Sequence, residues 1–447
     1  MVTRPPRRPS RTHPELFLVA RIVVASTPAH GHVSPLLTAA TALSARGHDV
    51  TMLTGARFES AVTAAKVAFT PLPAADDYDD RNLTERFPGR AKVTAGVEQV
   101  GFDLMHIFGN PAVGQYRSLR RLVGETGATT VISDSHFFGA LALKLASPEA
   151  GGPTTVALGT APPPKYDPES RQRIRDGLTH VRDIFRSLGA PLPGDILDAM
   201  LTVPDHYLQL GVPGFEYPRD DLPPSFRFIG PMPAVPEGLH ALPDWWPDLD
   251  GSRPVVVVTQ GTLANADLAA LAVPAIRALT GSSALVVVVT GRPGGAADVR
   301  ALVPHLPENV RLTDYFPFGL LLPHADVLVT NGGFGGVQTA LRHGVPMVVA
   351  GASEDKPQVA ARVAWSGTGI DMGTGRPDDE HLRTAVDEVL RTRRFRDRAR
   401  QIRKELASYD AIRSLSGIVE NTFRPLDRGS ELSSAGTPWH ASPTGRS

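Results

Sequence analysis

Short β-branched runs, each closed by a turn and followed by a segment of helical period, recur along this chain and admit few folds other than parallel sheets wrapped in helices. The first run is Ala20-Arg21-Ile22-Val23-Val24-Ala25-Ser26. Behind it the spacing predicts a helix from Ser34-Pro35-Leu36-Leu37 to Leu43-Ser44-Ala45-Arg46, with proline at its first position and Gly47 ending it. A strand from His48 to Leu53 follows, and the order returns around Thr129 to Ser133, Phe138 to Ala146 and Thr154 to Leu158. Residues 19–230 therefore read as one doubly wound domain.

Between residues 231 and 252 the pattern stops at a proline-rich stretch containing Pro231-Met232-Pro233 and Trp245-Trp246-Pro247, which reads as an interdomain linker. The same grammar restarts with Val255 to Val258, Leu285 to Val289, Val310-Arg311-Leu312, Val327-Leu328-Val329 and Pro346-Met347-Val348-Val349, giving a second α/β domain over residues 253–405. A chain of 447 residues exceeds what one core organises, which agrees with two domains.

Composition removes several classes of function. Lys+Arg and Asp+Glu both number 46, so no overall basic field draws the chain to nucleic acid or acidic membranes. The absence of cysteine rules out disulfides, thiolate metal sites and thiol nucleophiles, and fits a cytoplasmic protein. No apolar run reaches the ~20 residues of a membrane helix. Residues 1–18, basic and rich in proline and serine, read as a disordered lead, and residues 425–447 as a disordered tail. The arginines from Arg391 to Arg403, interleaved with Asp397 and Glu405, read as a solvated helix face.

The chemistry gathers at strand ends. Thr330-Asn331-Gly332-Gly333-Phe334-Gly335-Gly336-Val337 leaves an apolar strand and enters a helix, so its backbone amides and the helix dipole can meet a diphosphate; a tight structural turn is the competing reading. Gly261-Thr262 ends the first strand of the same domain, where a hydroxyl can donate to phosphate. Tyr315 and Phe316 precede the strand that feeds the glycine turn and offer a stacking face and a backbone edge for a nucleobase, with core packing as the alternative. In the loop Ala350 to Lys356, carboxylates can bind sugar hydroxyls or merely cap the next helix. In the first domain His30-Gly31-His32 lies between the first strand and the first helix, and Asp134 ends a later strand. Asp134 can accept from one nitrogen of His32 while the other takes a proton from a substrate hydroxyl, or both can be caps.

With these residues in order, the chain resembles the family 1 glycosyltransferases of bacteria, the GT-B group that glycosylates macrolides and other natural products. The resemblance spans about residues 20–424 and rests on Gly31-His32-Val33-Ser34-Pro35, Asp134, Gly261-Thr262, Asp314-Tyr315-Phe316-Pro317, the glycine turn, Gly344-Val345-Pro346 and Asp355. It implies two Rossmann-like domains facing across a cleft, with a final helix over residues 406–424 crossing back to the first domain. It also implies inverting transfer from a nucleotide-diphosphate sugar, uridine or thymidine, to a hydroxyl of a hydrophobic small molecule, with no metal and no cofactor beyond the donor. His32 matches the general base and Asp134 the acid that orients it. Donor contacts fall to Gly261, Thr262, Tyr315, Phe316, Asn331, Gly332, Gly333, Gly335, Gly336, Val337, Asp355 and Lys356.

Four positions depart from the pattern. Asn331 stands where the family usually has a phosphate-binding histidine, Val337 where a hydroxyl is frequent, Thr339 where a glutamate binds ribose, and Lys356 where a glutamine often lies beside the sugar-binding acid. The last leaves deoxysugars open. Aromatic and apolar residues of the first domain, among them Phe87, Phe102, Met105, Ile107, Phe108, Phe137, Phe138 and Tyr166, are offered to the acceptor or to the core. A nucleotide-sugar epimerase or hydrolase, and a silent nucleotide-sugar-binding partner, are the rival readings.

Overall fold

A computed structural model describes residues 19–146, 152–233, 241–262 and 265–421. The expected lead and tail, residues 234–240 of the linker and residues 422–424 of the crossing helix lie outside the described residues.

The first domain is built on strands β1 (Arg21–Ala25), β2 (Asp49–Thr54), β3 (Ala68–Pro71), β4 (Thr130–Asp134), β5 (Thr154–Gly159), β6 (His206–Gln209) and β7 (Phe226–Phe228). They form one parallel sheet in the order 3-2-1-4-5-6-7. The second is built on β8 (Val255–Thr259), β9 (Leu285–Val289), β10 (Val310–Thr313), β11 (Val327–Thr330), β12 (Met347–Val349) and β13 (Gly369–Asp371), parallel in the order 10-9-8-11-12-13. Each order reverses once, between β1 and β4 and between β8 and β11, and in open α/β sheets such a switch point opens a crevice at the carboxyl ends of the strands. Strands β8, β9 and β11 are buried along their whole length, as a sheet covered on both faces requires.

The first helix runs from His30 to Ala45, four residues earlier than the sequence suggested, so Pro35 lies inside it rather than at its first position. The local cap is missing, since Ala29 offers no side chain to the first turn. The cap comes from far away: Asp80 accepts the His30 amide at 2.7 Å and pairs with Arg57. A long-range carboxylate at a helix N-terminus satisfies both the orphan amide and the dipole, and leaves no signature in neighbouring sequence.

The last helix, Ala411–Asn421, packs on His30–Ala45, with Leu415 and Val419 fully buried and Arg46 3.7 Å from Glu420. The preceding helix, Arg393–Leu406, is less idle than a solvated face. Arg396 reaches Asp326 at 2.6 Å, and Arg398 donates to the carbonyls of Ser366 and Gly214. Among its described residues the linker contains one 3₁₀ turn, Trp246–Asp248, and Trp245 and Trp246 pack on Phe316 with ring centroids 5.9 and 5.1 Å away. Among the described residues no helix is long and apolar enough to cross a membrane.

Arg362, on the helix Lys356–Trp365 of the second domain, is buried against the first domain. It donates to both oxygens of Glu216 at 2.7 and 2.9 Å, to the Pro163 carbonyl at 3.2 Å, and stacks over Tyr217. Removing one member of such a pair strands a buried charge, so Glu216→Ala should lower unfolding free energy by about 3–5 kcal/mol. The double variant Arg362→Met/Glu216→Leu should recover most of that loss. Urea unfolding of the three proteins checks both outcomes, and a Glu216→Ala protein as stable as wild type would remove the pair from its structural role.

Candidate active site

The register places the first dyad. Ala25 of β1 lies beside Ser133 of β4, so the helix leaving β1 and the residue ending β4 meet at the switch point. His32, in the first turn of that helix, has Nδ1 2.9 Å from Asp134 Oδ1, with the imidazole 18% exposed and the carboxylate fully buried. Asp134 is held from three further donors: the Thr27 amide at 2.7 Å, the Thr27 hydroxyl at 3.2 Å and the His136 amide at 2.9 Å. Thr160 Oγ1, just past β5, lies 3.2 Å from the same His32 nitrogen.

Burial alone would lower the pKa of His32, but the Asp134 charge and hydrogen bond, with Asp355 adding, hold it above the ordinary imidazole value. Asp134 moves the other way. Burial would raise it, and the charge and hydrogen bond of His32, with the charge of His136 and the Thr27 amide, bring it below the usual carboxylate range. The opposite shifts describe a ring pinned through Nδ1, which leaves Nε2 as its basic atom.

His136 belongs to this group and was missed from the sequence. Its ring stands edge-on to His32 at 5.3 Å, Phe108 lies against both, and burial, with the His32 charge, pushes its pKa down to about 4. The available signal was its place two residues past Asp134 on the same strand end. His32, Asp134 and His136 offer ligand atoms within 4.8 Å of one another, a spacing a cation would accept. With Asp134 already accepting from four donors, the cluster is better described as a hydrogen-bonded network. His30 lies exposed two residues earlier, on the far side of the same helical turn, and Phe137 and Phe138 belong to the core.

The second constellation sits at the other switch point, where Thr259 of β8 pairs with Thr330 of β11 and Thr330 with Val349 of β12. The loops after these three strands, Gly261-Thr262, Asn331 to Gly333 and Gly351 to Asp355, thus share one sheet edge. Gly261 and Gly332 adopt φ of +68° and +86°, and a side chain on Gly332 would strike Val349 at 2.6 Å. Gly333 caps the helix Phe334–His343, and a β-carbon on Gly333, Gly335 or Gly336 would meet nothing within 4 Å. A side chain at any of these three positions would thus enter open space, while the strictly structural glycine of the turn is Gly332.

Several expected donor contacts are otherwise engaged. The Val337 amide donates to Gly333 O at 3.0 Å and its side chain is buried, so the helical bond removes it from the phosphate contacts. Asn331 is buried and donates to the Gln260 carbonyl, bridging the ends of β8 and β11. The Lys356 ammonium, also buried, pairs with Glu354 rather than pointing to a sugar. Thr339 bonds back to Gly335 O at 2.8 Å. Asp314 caps the helix Gly295–Leu302, accepting from the Gly294 and Ala296 amides. The side chain of Phe316 packs on the linker tryptophans, whereas Tyr315 is 55% exposed and its phenol is close enough to Arg57 and Arg81 of the first domain to perturb both. Thr262 is exposed at the edge. Asp355 makes no capping hydrogen bond; burial, with Glu354 adding, raises its pKa against Lys356 and His32. The residue before it, Glu354, donates its amide to Gln99 of the first domain at 3.3 Å, which brings this loop against that domain.

Two Rossmann-like sheets with facing switch points, a histidine–aspartate dyad on one and a glycine-turn helix terminus on the other, define a nucleotide-sugar glycosyltransferase of the GT-B fold. Residues 289–419 match the family described as "Erythromycin biosynthesis protein CIII-like, C-terminal domain". The chain is 39% identical over 427 residues to 4'-demethylrebeccamycin synthase of Lentzea aerocolonigenes, covering 90% of this chain and 99% of that one. It is 35% identical to UDP-glucosyltransferase B1 of Starmerella bombicola, covering 89% and 97%. Among solved structures, the glycosyltransferase of kitacinnamycin superposes with a TM-score of 0.70 at 24% identity, covering 91% and 99%. The chain belongs to the family 1 natural-product glycosyltransferases.

The two kinds of glycine separate by experiment. Gly335→Val should leave the melting temperature essentially unchanged but weaken uridine or thymidine diphosphate binding by about tenfold, because the side chain occupies the space before the amides. Gly332→Ala should melt lower, since it strains the backbone and strikes Val349. Calorimetric titration and melting of both variants test the assignment; unchanged nucleotide affinity in Gly335→Val would move the diphosphate elsewhere.

Proposed function

We propose that the enzyme transfers a hexose, with inversion and without a metal ion, from a nucleotide-diphosphate donor to a hydroxyl of a hydrophobic small molecule in the cytoplasm. The observation that carries this reading is the 2.9 Å bond between His32 and a buried Asp134 at the switch point facing the second domain. Held through Nδ1, His32 takes the acceptor proton at Nε2 as the acceptor oxygen attacks the anomeric carbon and the bond from that carbon to the diphosphate oxygen breaks. One displacement at carbon inverts it. Asp134 keeps the tautomer and stabilises the imidazolium that forms.

The leaving diphosphate gains charge, and the first-turn amides from Gly333 to Gly336, the dipole behind them and the Thr262 hydroxyl meet it without a divalent ion. Tyr315 supplies the exposed face for the base, and Asp355 accepts from sugar hydroxyls. Uridine diphosphate is the favoured carrier, given the name of the Starmerella bombicola relative, with thymidine diphosphate as the alternative. Phe108, against His32 and His136, gives the acceptor side an aromatic wall, which suits an apolar aglycone.

His32→Ala should abolish glycoside formation while donor binding persists, measured by chromatography of products and by titration of donor. Full transfer in that variant would overturn the base assignment. Donor consumed with no glycoside across a panel of hydrophobic alcohols and phenols would make the wild type a hydrolase or epimerase.

The pH dependence has a definite sign. The base works neutral, and Asp134 raises its pKa, so activity is lost as pH falls through a value above the ordinary imidazole one. Asp134→Asn removes that support: kcat should fall by roughly 10²–10⁴-fold, and the acid limb of kcat/KM should move to lower pH. An acid limb that stays in place in Asp134→Asn would uncouple the two residues.

A further inference from the structure

The loop that carries Asp355 is tied to the first domain by a chain of charges. Arg90, on the 3₁₀ turn Arg90–Lys92, donates to both oxygens of Asp103 at 2.8 and 3.0 Å, and its Nη2 lies 3.5 Å from Glu354 Oε1. The other oxygen of Glu354 pairs with Lys356, and the Glu354 amide donates to Gln99 Oε1 at 3.3 Å. All four charged side chains are three-quarters or more buried, so solvent screens them little. Glu354 is one of two non-glycine residues with positive φ among the described residues, at +58°. That conformation is sparsely populated for such a residue and persists because contacts on both sides over-determine it.

Gln99 and Asp103 lie on the helix Val97–Asp103, which continues as the π-helical turn Leu104–Gly109. That turn places Phe108 6.4 Å from the His32 ring. One continuous element therefore touches the base and, through Arg90 and Gln99, the residue immediately before Asp355. We propose that Arg90 is a positioning residue that latches the donor-sugar loop to the acceptor domain through Glu354, setting Asp355 against the sugar and keeping water out of the acceptor's place. Lys356 supports the latch by holding the second oxygen of Glu354. This rests on the reading of Asp355 as the acid that binds donor hydroxyls and of His32 as the base.

The competing step is donor hydrolysis: a water oxygen attacks the anomeric carbon, the bond to the diphosphate oxygen breaks, and His32 takes the water's proton. A loosened loop admits water and misplaces the sugar, so both the donor KM and the share of donor lost to water should rise. The test compares wild type, Arg90→Gln, Arg90→Lys, Glu354→Gln and the double Arg90→Gln/Glu354→Gln. The donor is UDP-glucose, or thymidine diphosphate glucose if the wild type prefers it, with a hydrophobic phenol as acceptor. Arg90→Gln and Glu354→Gln should each raise donor KM and the hydrolysed share by about tenfold, less than the ~100-fold that a full ångström of misplacement can cost in positioned sites. Arg90→Lys should recover part of the loss, and the double variant should be no worse than either single one, because both cut the same link.

Glu354→Gln keeps shape and remains informative if Arg90→Gln does not fold. Wild-type KM and partition in the folded single variants, a change in melting temperature alone, or fully additive effects would overturn the latch. Failure of the wild type to form any glycoside would instead overturn the functional reading beneath it.

Discussion

A cleft enzyme works only if its two walls hold a fixed relation, and in this chain that relation depends on the buried pairing of Arg362 with Glu216. The guanidinium belongs to the helix that begins just after Asp355, while Glu216 and Pro163 belong to the first domain. Two ions taken this far from water gain little net stability over an apolar pair, yet either alone is costly. The pair therefore acts less as glue than as a registration mark. It admits one seating of that helix, and so one approach of Asp355 to the first domain.

Within that seating, Asp134 does locally what Arg362 does globally. Its carboxylate collects the Thr27 amide and hydroxyl, the His32 ring and the His136 amide, which fixes the end of β1, the first turn after it and the end of β4 at one point. Four donors aimed at one buried carboxylate favour its charged form strongly enough to outweigh burial, and the same charge keeps His32 basic. The carboxylate that orients the His32 ring is thus also the one that pins the switch point.

Much of this could be read from the chain. Strand periodicity located both sheets, and the residues just past strand ends gave His32, Asp134, Gly261 and the glycine turn, because parallel sheets concentrate function at that edge. What could not be read was long-range. The helix carrying His32 begins at His30 because Asp80 caps it from fifty residues away in sequence, a contact no local pattern encodes. Lys356 looked like a sugar contact from its place beside Asp355, but a lysine near a carboxylate of its own loop pairs before it reaches a ligand. Val337 lies one residue beyond the orphan amides, so its N–H is spent on the helix. His136 was hidden by ordinary composition, since a histidine beside two phenylalanines reads as core until the strand register brings it to His32.

Asn331 departs from the family pattern at the sheet edge itself. The family's usual histidine at this position can place a positive charge on the diphosphate; here the side chain is buried, neutral and spent on the Gln260 carbonyl, where it stitches β8 to β11 across the switch point. The position thus carries a neutral side chain that ties two strand ends together in place of one that can titrate. A diphosphate bound as proposed would be met by groups that do not titrate near neutrality, namely first-turn amides, a helix dipole and a threonine hydroxyl. Two consequences follow from that chemistry. On the proposed reading, the cradle itself would not titrate near neutrality, so the pH dependence of turnover would report His32 and Asp355 together and not the phosphate contacts. On the same reading, discrimination among donors would rest on Tyr315 and Asp355, the groups proposed to meet the base and the sugar, because every nucleotide sugar shares the phosphates.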